Sequence, residues 1–183
     1  MNNTRFIMTT LEQLKAAKSK ADIKTLADGI VASKYDIAEL VRLVTVEQDN
    51  IASKASWVLT TITDTHNSLL RPYNRLLLKC AMASGASTGV KRNVLRILDA
   101  QANFDEEIQA ALIDFCFGVL AQANETVAVK VFAMSIMEKF SHIYPELKNE
   151  LQLLLEDGLK HAPTPGFKSR AGKILKRLGG IQL

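Results

Sequence analysis

One register constrains this chain more tightly than any other feature of it. Ala55, Val94, Ala133 and Ala171 follow one another at steps of 39, 39 and 38 residues. Three positions after them stand Val58, Ile97, Ile136 and Ile174, and one further on Leu59, Leu98, Met137 and Leu175. Three beyond that come Ile62, Gln101, Phe140 and Leu178, with Gln101 the one polar member. This spacing draws a single apolar stripe along a helix of 3.6 residues per turn.

A second stripe repeats with the same step: Leu69, Ile108, Leu147; Tyr73, Leu112, Leu151; Leu76, Phe115, Leu154; Ala81, Leu120, Leu159. We denote the helix carrying this stripe A and the helix carrying the first stripe B. The stretch Val127–Leu155 shows one B helix, a turn at Tyr144-Pro145, and the next A helix. A first A helix, Asp36–Glu47, fits through Ile37, Leu40, Val41 and Val44 at a shorter spacing. One hairpin cannot hide two apolar stripes, so each unit must lean on its neighbours. The competing arrangement is a non-repetitive helical bundle.

The punctuation agrees with the register. Gln48–Asn50, Thr65–Ser68, Ser84–Gly89, Ala102–Asp105, Asn124–Thr126, Tyr144-Pro145 and Ala162–Gly166 fall between the helices, and they are rich in cap and turn residues. Pro145 and Pro72 suit first turns, where a missing N–H costs nothing, so the A helix holding Pro72 is expected to begin near Ser68. Ahead of the repeats, Thr10–Lys18 and Ala21–Ala32 read as two short helices. Thr10 is the expected N-cap of the first, with Gln13 completing a capping box, and Asp22 suits the first turn of the second. These helices are expected to cap one end of the stack. Met8 is an alternative start, which would make residues 1–7 a frayed extension. The expected organisation is one domain over residues 1–183, with cap helices in 1–34 and helix pairs in 35–65, 68–100, 105–142 and 145–178.

Composition excludes several classes. Hydrophobic residues make up 48% of the chain, too many for a disordered protein. The net charge of +4 is small for a dedicated polycationic nucleic-acid binder. The N-terminus lacks the apolar core of a signal peptide, and no run reaches the ~18 apolar residues of a membrane helix. A soluble, cytoplasmic protein without a membrane partner is expected. Cys80 and Cys116 sit in apolar helical runs and read as small buried hydrophobes, and without a CxxC or His/Cys cluster no zinc site is expected.

Paired helices near 39 residues, with basic residues opening each B helix in Gly89-Val-Lys-Arg, Val127-Ala-Val-Lys and Gly166-Phe-Lys-Ser-Arg, resemble HEAT repeats over about residues 35–178. The period is slightly shorter than the ~40–47 residues usual for that family. Ala52 stands where the later units have Lys91, Lys130 and Lys168. The resemblance implies an all-α fold, a right-handed α-α superhelix of about four helix pairs. The last is incomplete, in that no further A helix follows Phe167–Leu178. It transfers no activity.

No catalytic motif stands out: there is no GxSxG, HExxH or phosphate-loop ending. Ser84–Gly89 reads as an inter-helix loop. His66, His142 and His161 lie at helix C-termini, where the dipole favours them, and Asp105-Glu106-Glu107 opens an A helix. No cofactor, metal or catalytic residue is assigned. Lys91, Lys130 and Lys168 read either as partners of acids or carbonyls in adjacent units or as a row of anion contacts.

The B-helix positions at −1, +2 and +6 from the leading register residue carry the binding expectation. They include Lys54, Trp57, Arg96, Phe132, Lys139, Arg170, Lys173 and Arg177, with six basic residues and no acidic one among the twelve positions. By analogy with HEAT proteins, B helices line the concave side. The resulting expectation is a non-enzymatic scaffold that takes an acidic protein segment in a basic groove, with Trp57 as an anchor. The partner-binding candidates are Lys54, Trp57, Arg96, Lys139, Arg170, Lys173 and Arg177. The alternative is binding of the DNA backbone, as in HEAT-like alkylated-base repair proteins. A glycosylase would need a carboxylate, for which Asp49, Asp64, Asp99 and Asp157 are candidates, though none sits beside Trp57 on the exposed positions.

Overall fold

A computed structural model describes residues 3–33, 37–46, 49–161 and 164–179. Among these residues the regular structure is entirely helical. The order is α1 (Asn3–Ala16), α2 (Lys20–Ser33), α3 (Ile37–Val46), α4 (Asp49–His66), a 3₁₀ helix (Asn67–Tyr73), α5 (Asn74–Met82), α6 (Thr88–Asp99), α7 (Glu106–Ala121), α8 (Val127–Ile143), α9 (Leu147–Lys160) and α10 (Pro165–Leu178). The pairs α3–α4, α5–α6, α7–α8 and α9–α10 are the four A–B modules.

The chain divides into two compact units, Met1–Asn103 and Phe104–Leu183. The division falls between α6 and α7, at a module boundary. In the first unit α4 packs against α3 within its own module, against α6 of the next, and against α1 and α2. The A helix α3 likewise touches α5. In the second unit α8 packs on α7 and α10, and α7 packs on α9. Within each unit, therefore, A stacks on A and B stacks on B. That is the contact pattern of stacked repeats.

The B stripe is the core of both units. Ala55, Val94, Ala133 and Ala171 are wholly buried, and so are Val58, Ile97 and Ile174. Small residues at the leading position let neighbouring helices approach closely. Gln101, the polar member, is also buried. Its Nε2 donates to Asn67 O at 2.7 Å, and Asn67 Nδ2 donates back to Ala100 O at 3.3 Å. The side chain thus ties the end of α6 to the 3₁₀ helix where other modules place an apolar residue.

Capping follows the sequence in most places. Asp105 accepts from Ile108 N at 2.8 Å at the start of α7. Ser87 and Thr164 cap α6 and α10 by accepting from Val90 N and Phe167 N. Gly179 closes α10 in the left-handed region at φ 79°, where glycine carries no Cβ penalty. Asp22 accepts from the backbone N–H groups of Lys18 and Ser19 ahead of α2, which lowers its carboxyl below the ordinary value.

Three expectations are corrected. Thr10 is no cap: α1 begins at Asn3, and Thr10 lies inside it, buried. The A helix of the second module does not start as an α-helix near Ser68. A seven-residue 3₁₀ helix containing Pro72 comes first, and α5 begins at Asn74. In the A stripe Leu112, Leu151, Ala81 and Leu120 are buried as expected, but the register of Leu76 is displaced by one residue. Leu69 and Leu76 are exposed, whereas Leu77, Cys116 and Leu155, each 39 apart, are wholly buried. Of the two cysteines, Cys116 is buried as expected and Cys80 is only half-buried.

Candidate partner-binding face

The seven candidate residues fall in both units. Lys54 and Trp57 lie on α4 and Arg96 on α6. Lys139 lies on α8, and Arg170, Lys173 and Arg177 lie on α10. The three offsets that define them are not equivalent in space. In the first two modules the −1 position faces the preceding helix. Lys54 Nζ donates to Leu14 O and Lys15 O at 3.0 and 3.2 Å, holding the C-terminal carbonyls of α1. Asn93, one module on, is buried and donates Nδ2 to Ser56 Oγ at 3.0 Å and Ser53 O at 3.4 Å on α4. Its Oδ1 accepts a fork from Arg92 Nε and Nη2. Ser135, at +2, is also buried and donates to Val131 O. These are ties within the stack, so the expectation that all three offsets point outward is corrected for Lys54, Asn93 and Ser135.

Two of the cations clasp neighbouring B helices. Arg96 Nη2 donates to Asp64 Oδ1 and Oδ2 at 2.8 and 2.9 Å, joining α6 to α4. Arg177 Nη2 donates to Glu138 Oε2 at 2.8 Å and its Nε donates to Glu138 Oε1, joining α10 to α8. The Glu138 bond raises the Arg177 guanidinium above its ordinary value. Both arginines are about half exposed, so solvent screens each clasp and its contribution is small. Sequence reasoning missed them. The available signal was an acid one module before an arginine: Glu138 and Arg177 are 39 residues apart.

What stays open lies on α10. Lys168, Lys173 and Lys176 are exposed and Arg170 is half-buried. Among the described residues none of these four has a hydrogen-bond or ion-pair partner for its side chain. From Gly158 to Leu183 the chain has six Lys/Arg and no Asp or Glu. The cations also stand in the helix that ends in Gly179, and the C-terminal end of a helix dipole favours positive charge. In the first unit, Trp57 is half-buried beside the Arg96–Asp64 clasp positions on α4 and α6. Of the register lysines, Lys91 is engaged within the fold, while Lys130 and Lys168 have no described partner, so pairing with an adjacent unit does not explain them.

Among the described residues there is no group of three or more His, Cys, Asp or Glu side chains close enough to share a metal ion. Of the candidate carboxylates, Asp64 is held by Arg96, and Asp157 lies beside His161. The side chain of Asp49 lies outside the described residues. A groove of about 700 Å³ between α1 and α2 is lined by Thr10, Gln13, Ala17, Leu26 and Ile30. The carboxylate among its described lining, Asp22, is spent on the turn ahead of α2. No helix among the described residues is long and apolar enough to cross a membrane.

Stacked A–B modules, a B stripe buried in every copy, and cations left over on the outside are the marks of a repeat scaffold. The model of the HEAT repeat domain matches residues 10–178. The chain belongs to the HEAT-repeat family. No curated protein and no solved structure matches it. The HEAT match takes in the second half of α1 and all of α2 as well as the four modules. HEAT repeats are helical scaffolds generally used for protein interaction, and this chain is such a scaffold.

Proposed function

We propose that this HEAT protein is a non-enzymatic cytoplasmic scaffold that holds an acidic segment of a protein partner against the outward positions of its B helices. α10 contributes most. Arg170 and Lys173 are free to meet carboxylates, with Lys139 on α8 and the Glu138-clasped Arg177 beside them. In the first unit Trp57 and Arg96 provide the corresponding contacts, and Lys54 supports them from its place against α1. The observation that carries the proposal is the acid-free row of cations on α10 without intramolecular partners. Beyond the dipole contact of Lys176 in the last turn, keeping these cations unpaired on one short helix does little for the fold. Each exposed pair with a partner carboxylate contributes about 0.2–1 kcal/mol, so four of them give a weak, salt-sensitive grip, about millimolar at its tightest.

The same cations would accept phosphates, which makes the DNA backbone the alternative ligand. A titration of fluorescent acidic peptide and of mixed-sequence duplex DNA, each over a salt series, separates the two. The proposal expects saturable peptide binding that the double variant Arg170→Glu/Lys173→Glu weakens about tenfold. DNA binding with a log–log salt slope of roughly −4 to −5, and no peptide binding, would replace the protein reading with the nucleic-acid one.

A further inference from the structure

A second surface lies on the A side of the second module. Leu69, Leu76 and Met82 are 40%, 43% and 47% exposed, and Tyr73 and Cys80 are half-buried beside them. Leu76 and Cys80 stand one turn apart on α5, and Cys80 Sγ donates to Leu76 O at 3.0 Å. Leu69 and Tyr73 continue the row back along the 3₁₀ helix. The residues that match Leu69 in later modules, Ile108 and Leu147, are half-buried, and so are Phe115 and Leu154, which match Leu76. Among the described residues of the second, third and fourth modules, this register is exposed in the second alone.

The surroundings say what would cover it. Arg71, Arg75 and Lys79 are exposed alongside the leucines. From Thr65 to Leu98 the chain has six Lys/Arg and no Asp or Glu. With the acid-free stretch of α10, these two segments hold twelve of the 23 basic residues, leaving eleven against all 19 acidic ones elsewhere. The face is therefore apolar along its middle and cationic at its edge. Nine α-helical and seven 3₁₀ residues give it a length of about 27 Å, matching an α-helix of about 18 residues. An occupant must bring an apolar row to cover the leucines and carboxylates to answer the cations.

We propose that the outer face of the 3₁₀ helix and α5 docks an acidic amphipathic helix of a partner protein. The apolar row of that helix lies along Leu69, Tyr73, Leu76 and Cys80, and its flanking carboxylates meet Arg71 and Lys79. This mode of recognition lays a helix by its apolar stripe and uses charge at the rim to set orientation. The surface is separate from α10 and would operate whether or not α10 binds an acidic segment.

The test uses the full chain and a synthetic 18-residue helix with leucines at i, i+3, i+4 and i+7 spacing flanked by glutamates. A scrambled peptide of the same composition is the control. Binding is read by fluorescence anisotropy and by protection of Cys80 from alkylation at mildly alkaline pH. Cys116 is buried, so labelling reports Cys80, whose thiol burial raises above its ordinary value. The expected result is binding by the ordered helix, protection of Cys80, and about tenfold weakening by either Leu76→Ser or Lys79→Glu. Both residues are exposed, so the fold survives their replacement, and circular dichroism confirms it. Arg170→Glu/Lys173→Glu leaves this binding unchanged, which keeps its fate apart from that of α10. Equal binding of the scrambled peptide, unprotected Cys80, or loss only in the α10 variant would overturn the proposal. So would concentration-dependent self-association abolished by Leu76→Ser, since the face would then be covered by a second copy.

Discussion

At the scale of single residues, what a side chain does depends on which neighbour its position meets. Asn93 is the clearest case. It sits where sequence alone places a solvent-facing residue, yet it is buried between α4 and α6 and bonded to Ser53 and Ser56. Asn93→Leu removes both donors and leaves Ser56 Oγ and the Arg92 fork without it, so it should cost about 1–3 kcal/mol of stability, measured by urea unfolding. Two glycines make a paired test. A Cβ at Gly158 would stand 2.5 Å from Phe167 Cζ, in the packing of α9 on α10, whereas one at Gly172 meets nothing within 4 Å. Gly172→Ala should stabilise by up to about 1 kcal/mol through helix propensity. Gly158→Ala should forfeit that gain or reverse it, since Phe167 is buried and must shift. Asp22 gives a pH dependence. Its folded pKa is depressed, so its contribution is present above the ordinary value of about 3.9 and disappears as pH falls through the lower folded value. Amide protection factors, corrected for the intrinsic pH dependence of exchange, should fall in the first turn of α2 below about pH 4 while those of the B helices hold.

At the scale of elements, the B helices were legible and the A helices less so. The B stripe recurs at the same positions in all four copies, so comparing the copies picks out one inward phase of the helix. The A segment Ser68–Lys79 has leucines at 69, 70, 76, 77 and 78. Two adjacent phases are then equally apolar, and periodicity cannot choose between them. In the structure Leu70, Leu77 and Leu78 take the inward phase and Leu69 and Leu76 the outward one. Thr10 was misread because a polar residue ahead of an apolar pattern looks like a cap, although the helix continues upstream. The candidate site was legible as a charge pattern but not as a set of partners. Which cations are spent on Asp64, Glu138 or the carbonyls of α1 depends on packing between modules. One consequence belongs to this scale. Lys54→Ala frees the last carbonyls of α1, which then fray, so limited proteolysis near residues 15–19 should speed up with little change in overall melting temperature.

At the scale of the whole molecule, charge is sorted more sharply than the net value of +4 suggests. The acid-free stretches fall on α5–α6 and on α10, one in each compact unit. The repeated module accounts for the hidden residues, and these stretches account for what the module leaves outside. The central claim is that partner binding resides in those outward cations, not in any enclosed centre. Backbone amide NMR of the labelled full chain, titrated with an acidic peptide lacking apolar residues, tests this most directly. The account predicts shift changes concentrated from Lys168 to Arg177 and abolished by Arg170→Glu/Lys173→Glu. Changes centred on the groove between α1 and α2, or a response that survives that double variant undiminished, would contradict it.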